Sequence, residues 1–257
     1  MRIAAVRYIN ALPLLHGLEK NKALDLSYHT PAICYERLTT GQADVGLIPI
    51  IGTQLSDSIR ALKGLGIAAA QKSESVLLFA KKPLDRLERV LTDQGSMTSV
   101  MLLKIILRAK YGISPHFMSG STEDIYAALR ENDAALVIGD GAILAEKSDF
   151  DHYDLATEWY SLTRLPFVFA IWGCSRPLTD IEKQILNGAL EAASHHWDEV
   201  YRKAGETLDV KRDFLERYYN DNLHYRLTRG DYEGILKYFD YASQFQFLAK
   251  VRKDIWL

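Results

Sequence analysis

The chain has 257 residues, with 33 Asp plus Glu against 31 Lys plus Arg and a formal net charge of −2. That near balance leaves no global field to gather nucleic acid or an anionic membrane surface, so any selectivity for anions must be built locally. The two cysteines, Cys34 and Cys174, lie far apart and outside any CxxC; they give neither a disulfide framework nor a zinc-site spacing and read as small buried apolar groups.

Along the chain, Met1-Arg2 runs directly into Ile3-Ala4-Ala5-Val6, which is too short for the apolar core of a signal peptide and reads as the first strand. Further strands are expected near Leu26 to His29, Val45 to Ile48, Ile67 to Ala70, Val76 to Lys81, Arg89 to Leu91, Ala135 to Ile138 and Phe167 to Trp172. Between them, Leu12 to Glu19, Ile33 to Thr40, Thr98 to Lys110 and Ser121 to Glu131 repeat apolar residues at helical spacing. This alternation predicts an α/β fold with mainly parallel sheets. After Pro177 the pattern changes to helices over Thr179 to Lys203, Lys211 to Tyr219 and Asp231 to Lys250, with no strand among them, so the chain is expected to finish as a helical block. No stretch approaches the roughly 20 apolar residues of a membrane helix. The expectation is a soluble, cytoplasmic protein with neither a membrane nor a nucleic-acid partner.

Ser75 to Lys82 and Pro166 to Gly173 are apolar enough to be buried strands, and they bracket a segment with its own α/β pattern. Read as two hinge crossings, they divide the chain into one lobe of residues 1–78 plus 171–257 and another of 79–170. A small carboxylate-bearing molecule would then lie in the cleft between the lobes. In open α/β sheets such a ligand sits outside the carboxyl ends of the strands, where loops enter helices.

Three turns have that character. In Tyr8-Ile9-Asn10-Ala11-Leu12-Pro13-Leu14, Asn10 can cap the next helix, meet a ligand, or do both. In Asp93-Gln94-Gly95-Ser96-Met97-Thr98-Ser99-Val100, hydroxyls, free backbone N–H groups and a helix dipole converge at the start of a helix and can hold a carboxylate or phosphate without Lys or Arg; simple capping by Ser96 is the plainer alternative. In Gly139-Asp140-Gly141-Ala142, capping is the better reading of Asp140 on residue type alone. Ser73, Ser75, Arg164 and Pro166 flank the crossings and are within reach of the same cleft.

No GxGxxG, Walker A loop, GxSxG or HExxH occurs, and neither a cofactor nor a metal is expected. His195-His196 are about 100° apart on a helix and read as surface or packing residues. The C-terminal tyrosines Tyr218, Tyr219, Tyr225, Tyr232, Tyr238 and Tyr241 read as helix packing.

Taken together, Tyr8-Ile9-Asn10-Ala11-Leu12-Pro13-Leu14, Gly41-Gln42-Ala43-Asp44-Val45-Gly46-Leu47-Ile48-Pro49, Ser75-Val76-Leu77-Leu78-Phe79, Ser96-Met97-Thr98-Ser99-Val100, Ile138-Gly139-Asp140 and Leu165-Pro166-Phe167-Val168-Phe169-Ala170-Ile171-Trp172 resemble the chorismate dehydratase family of the futalosine route to menaquinone. The resemblance implies a type II periplasmic-binding-protein-like fold and a carbon–oxygen lyase that dehydrates chorismate to 3-[(1-carboxyvinyl)oxy]benzoate. It implies a catalytic Asn10 and substrate contacts at Ser75, Ser96, Thr98, Ser99 and Asp140. The sequence departs from the family pattern at Ala32, Lys72, Glu74, Gly141 and Arg164. Two rival readings stand beside it: the sister enzyme that forms 1,4-dihydroxy-6-naphthoate with a histidine base, for which His116 is the one candidate near the second lobe's strand ends, and a non-catalytic binding protein for an aromatic carboxylate.

Overall fold

The computed structural model describes residues 1–93, 95–147 and 149–257; Gln94, in the second of the three turns, lies outside them. Eleven strands form two sheets among these residues. They are β1 (Arg2–Val6), β2 (Asp25–His29), β3 (Val45–Pro49), β4 (Arg60–Ala69), β5 (Val76–Ala80), β6 (Arg89–Thr92), β7 (His116–Ser119), β8 (Ala134–Ile138), β9 (Asp151–Asp154), β10 (Phe167–Cys174) and β11 (Leu223–Arg226). The first sheet has the order β11-β4-β10-β3-β1-β2 and the second β7-β6-β8-β5-β9.

The sheets are mixed rather than mainly parallel. β1 pairs in parallel with β2 and β3, and β6 with β7 and β8. β10 runs antiparallel to β3 and β4, and β5 antiparallel to β8 and β9. The strands that enter and leave the second sheet are inserted against the direction of the parallel units, a reversal that apolar patterning does not encode. β5 pairs wholly within the second sheet and β10 wholly within the first, so the chain passes between sheets in residues 70–75 and 155–166.

β3 and β5 are buried along their whole length, which is why they appear as unbroken apolar runs. β7, β9 and β11 lie outside the expected strands, and all three are edges of four residues. Their sequences, His-Phe-Met-Ser, Asp-His-Tyr-Asp and Leu-His-Tyr-Arg, are too polar and short to declare themselves. β11 also breaks the expected all-helical C-terminal block, pairing with β4. The long helix expected there is two, Asp180–His195 and Trp197–Leu208, parted at His196 where φ is −134°. The first of them starts with a full capping box between Thr179 and Glu182.

The two passages between the sheets meet at one carboxylate. Asp154 Oδ2 accepts from the backbone N–H of Ser73 (3.0 Å), the Ser73 hydroxyl (3.1 Å) and the N–H of Glu74 (2.6 Å). Its Oδ1 caps the helix Leu155–Thr163 by accepting from Ala156 and Thr157 at 2.9 and 3.2 Å. Five donors thus converge on a side chain that is 9% exposed. They hold Glu74 in the left-handed region at φ 57°.

Candidate functional site

A cleft is lined by residues of both sheets. Its walls include the ends of β1, β3 and β8 and parts of β4, β5, β10 and β11. Asn10, Ser75, Ser96, Thr98 and Ser99 all lie on it; Asp140 does not.

One wall is the turn after β1. Val6 ends the strand, and residues Ile9–Ala11 form a single turn of 3-10 helix before the helix Leu12–Leu15. Asn10 therefore falls inside that turn rather than ahead of a helix, and neither of the two short helices has a side-chain cap. The capping alternative is overturned for Asn10. Its Oδ1 is buried without a hydrogen-bond partner. The turn itself is fixed from three directions: the Ile9 N–H donates to Asp140 Oδ1 at 2.9 Å, the Tyr219 hydroxyl donates to the Ile9 carbonyl at 2.7 Å, and the Tyr225 hydroxyl donates to the Asn10 carbonyl at 2.9 Å.

Asp140 lies in the first turn of the helix Gly139–Leu144, which has no side-chain cap, so Asp140 is not the cap that its residue type suggested. It sits behind the Asn10 turn, and burial pushes its carboxyl up to about 6 against the opposing effect of the Ile9 N–H. Gly139 takes φ 62°, and a Cβ there would come within 2.8 Å of the Tyr8 ring. Glycine is needed at that position for both reasons.

The facing wall is the start of the helix Met97–Tyr111. Ser96 is its N-cap residue, yet its side chain makes no cap bond; the hydroxyl is buried and unpartnered. Capping is overturned here too. Thr98 accepts from the Ile51 N–H at 3.4 Å through its hydroxyl, and its carbonyl accepts from the Tyr238 hydroxyl at 3.1 Å. Ser99 is buried beside it. The first N–H groups of a 15-residue helix have no intrahelical acceptors, and they add to the positive end of the helix dipole. Ser75 is 2% exposed, and its hydroxyl donates to the Ser73 carbonyl at 3.3 Å.

Among the described residues that line the cleft there is no Lys, Arg, His, Asp, Glu or Cys. An anion here would be held by backbone N–H groups, hydroxyls and one amide. Tyr8, Phe169 and Met97 also line it; apolar and aromatic walls carry no sequence signal distinguishing them from core. The tyrosines read as packing residues do more than pack: Tyr219 and Tyr225 fix one wall and Tyr238 the other. His116 is exposed at the start of the edge strand β7 and lines no part of the cleft. Among the described residues, no three His, Cys, Asp or Glu side chains gather as metal ligands would. Among the described residues, no helix is long and apolar enough to cross a membrane.

The departures at 32, 72, 74, 141 and 164 also stay off the cleft walls. Lys72 pairs with Glu74 at 2.6 Å, and Asn222 donates to the same carboxylate at 3.0 Å. Arg164 ends the helix Leu155–Thr163 at φ 61°, the left-handed position where glycine is the usual choice.

The fold is shared with solved proteins. A protein of Archaeoglobus fulgidus superposes with a TM-score of 0.79 at 16% identity, covering 96% of this chain and 97% of that one. The alkanesulfonate-binding protein of Xanthomonas axonopodis pv. citri, bound to MOPS, superposes with a TM-score of 0.69 at 18% identity, covering 99% and 95%. The chain thus has the two-lobed α/β fold of type II periplasmic binding proteins. In sequence, it is 30% identical to a chorismate dehydratase of Thermus thermophilus over 251 residues, 89% of this chain and 90% of the relative. With residues 1–244 matching the model of the family described as menaquinone biosynthesis, the chain belongs to that menaquinone-biosynthesis family.

Proposed function

We propose that the protein is a carbon–oxygen lyase that dehydrates chorismate to 3-[(1-carboxyvinyl)oxy]benzoate. The observation that carries this reading is the pair of buried, unpartnered polar atoms, Asn10 Oδ1 and Ser96 Oγ, on facing walls of one cleft. A buried polar group without a partner costs about 1–3 kcal/mol. Two on one cavity call for a ligand that satisfies them, and chorismate, with two carboxylates and a hydroxyl, has the groups to do so.

The chemistry follows from the substrate. The C3 proton is acidic through conjugation to the ring carboxylate, and its loss gives a delocalised dienolate that expels the C4 hydroxyl and becomes aromatic. Negative charge grows on the ring carboxylate as this happens. The N–H groups and hydroxyls at Ser96, Thr98 and Ser99 are preorganised to stabilise it, while Asn10 holds the substrate beside the reacting carbons. Because no carboxylate or imidazole lines the cleft among the described residues, the substrate's own enolpyruvyl carboxylate is the proton acceptor. The sister reaction through a histidine base finds no histidine there.

The two sheets are the two lobes on this reading, joined through residues 70–75 and 155–166, and the reaction is cytoplasmic. Incubation with chorismate is expected to give a product lighter by about 18 Da, the mass of one water, with the ultraviolet spectrum of a substituted benzoate. Tight binding with chorismate recovered unchanged would make the protein a carrier instead.

A further inference from the structure

Expelling a hydroxyl needs a proton as well as a base, because hydroxide is a poor leaving group. The enolpyruvyl carboxylate accounts for the C3 proton; the C4 oxygen still has to leave as water. Among the described residues lining the cleft, Tyr8 is the single ionisable side chain. The hydroxyls of Ser75, Ser96, Thr98 and Ser99 are no better acids than water itself.

The Tyr8 ring is also held in place by its packing. Tyr8 follows β1 after one residue, Arg7, and stands two residues before Asn10. Its ring lies against the backbone of Gly139, so closely that a Cβ there would be 2.8–2.9 Å from three ring atoms. Gly139 in turn donates its N–H to the Ser75 carbonyl at 2.7 Å. Ring and turn are therefore held between the two sheets, while the phenol oxygen has no hydrogen-bond partner among the described residues.

We propose that the Tyr8 phenol donates the proton that lets the C4 hydroxyl leave as water. The proposal rests on the chorismate dehydratase reading. The C3–H bond breaks toward the enolpyruvyl carboxylate, its electron pair enters the ring, and the C4–O bond breaks with its pair on oxygen, which takes the Tyr8 proton. The carboxylic acid so formed then returns its proton to the tyrosinate, and chorismate has become the benzoate plus water with Tyr8 restored. Burial, reinforced by Asp93 and Asp140, pushes the phenol up to about 12. It is neutral before the reaction and still a far stronger acid than water, at about 15.7.

The test compares wild type with Tyr8→Phe, which keeps the ring against Gly139, on chorismate and on an analogue carrying fluorine in place of the C4 hydroxyl. Fluoride is small and leaves with little help from a proton. The expected result is a fall in kcat on chorismate of about 10²–10³-fold, in the range for one general acid, with KM within about threefold. On the fluoro analogue the fall should shrink to about tenfold or less. Wild-type kcat in the variant would overturn the proposal, since the substrate would then supply its own proton. An equal loss on both substrates, or a raised KM with kcat intact, would overturn it in favour of a packing or binding role. A wild-type protein that leaves chorismate unchanged would overturn the underlying reading, and the proposal with it.

Discussion

Two polar clusters of the molecule are built in opposite ways. At Asp154, one buried carboxylate meets five donors and nothing is left over. On the cleft walls, Asn10 Oδ1 and Ser96 Oγ are buried with no partner at all. Saturation marks a joint whose job is to stay put; on the wall of a cleft, deficit leaves atoms that a ligand can satisfy. Ser75 stands at the boundary, bonded to the carbonyl of Ser73 and facing the cleft.

The contrast can be broken at either end. Asn10→Asp should have the largest effect: it places a carboxylate where a dianion must bind, and product formation is expected to fall at least about 10³-fold, about 4 kcal/mol, with little change in thermal stability. Wild-type turnover in that variant would remove Asn10 from the site. Asp154→Ala should do the reverse. It strands buried N–H groups and removes a helix cap, so denaturant unfolding is expected to show a loss of about 3 kcal/mol, while kcat at saturating chorismate holds within a few-fold.

Ser96→Ala sharpens the comparison within one residue. Removing an unpartnered buried hydroxyl should raise stability by up to about 1 kcal/mol while lowering kcat/KM by about tenfold or more; a stability loss would mean the hydroxyl is already satisfied in the unliganded protein. At Asp140 the expected effect is on stability and depends on pH. Its carboxyl is raised from 3.8 to about 6 in the folded protein, so the fold is penalised once the group ionises, and the stability present below about pH 4 is lost as pH rises through about 6. Asp140→Asn keeps an acceptor for the Ile9 N–H without the charge. Its melting temperature should exceed that of wild type at pH 8, and the gap should close by pH 4.

Much of this architecture can be read before any coordinates. The buried strands are visible because burial on both faces demands unbroken apolar runs, as in Val76–Ala80, and the site residues are visible because Ser, Thr and Asn cluster where strands hand over to helices. What stays hidden follows one physical rule. Edge strands such as Asp151–Asp154 are half solvated and need no apolar signature, and antiparallel insertion of β5 and β10 leaves no trace in local pattern. The roles of Asn10 and Ser96 turn on whether a capping bond forms, which backbone geometry decides. The hydrogen bonds from Tyr219, Tyr225 and Tyr238 link residues 140 to 215 positions apart, beyond any periodicity.

Those tyrosines have a consequence for how the protein comes into being. The turn carrying Asn10 leaves the ribosome 210 to 215 residues ahead of the tyrosines whose hydroxyls grip its carbonyls. Over that span of synthesis the nascent chain holds the turn without its fastenings. Catalytic competence therefore arrives late and all at once, and fragments released early by stalled translation would be inert toward chorismate rather than partly active.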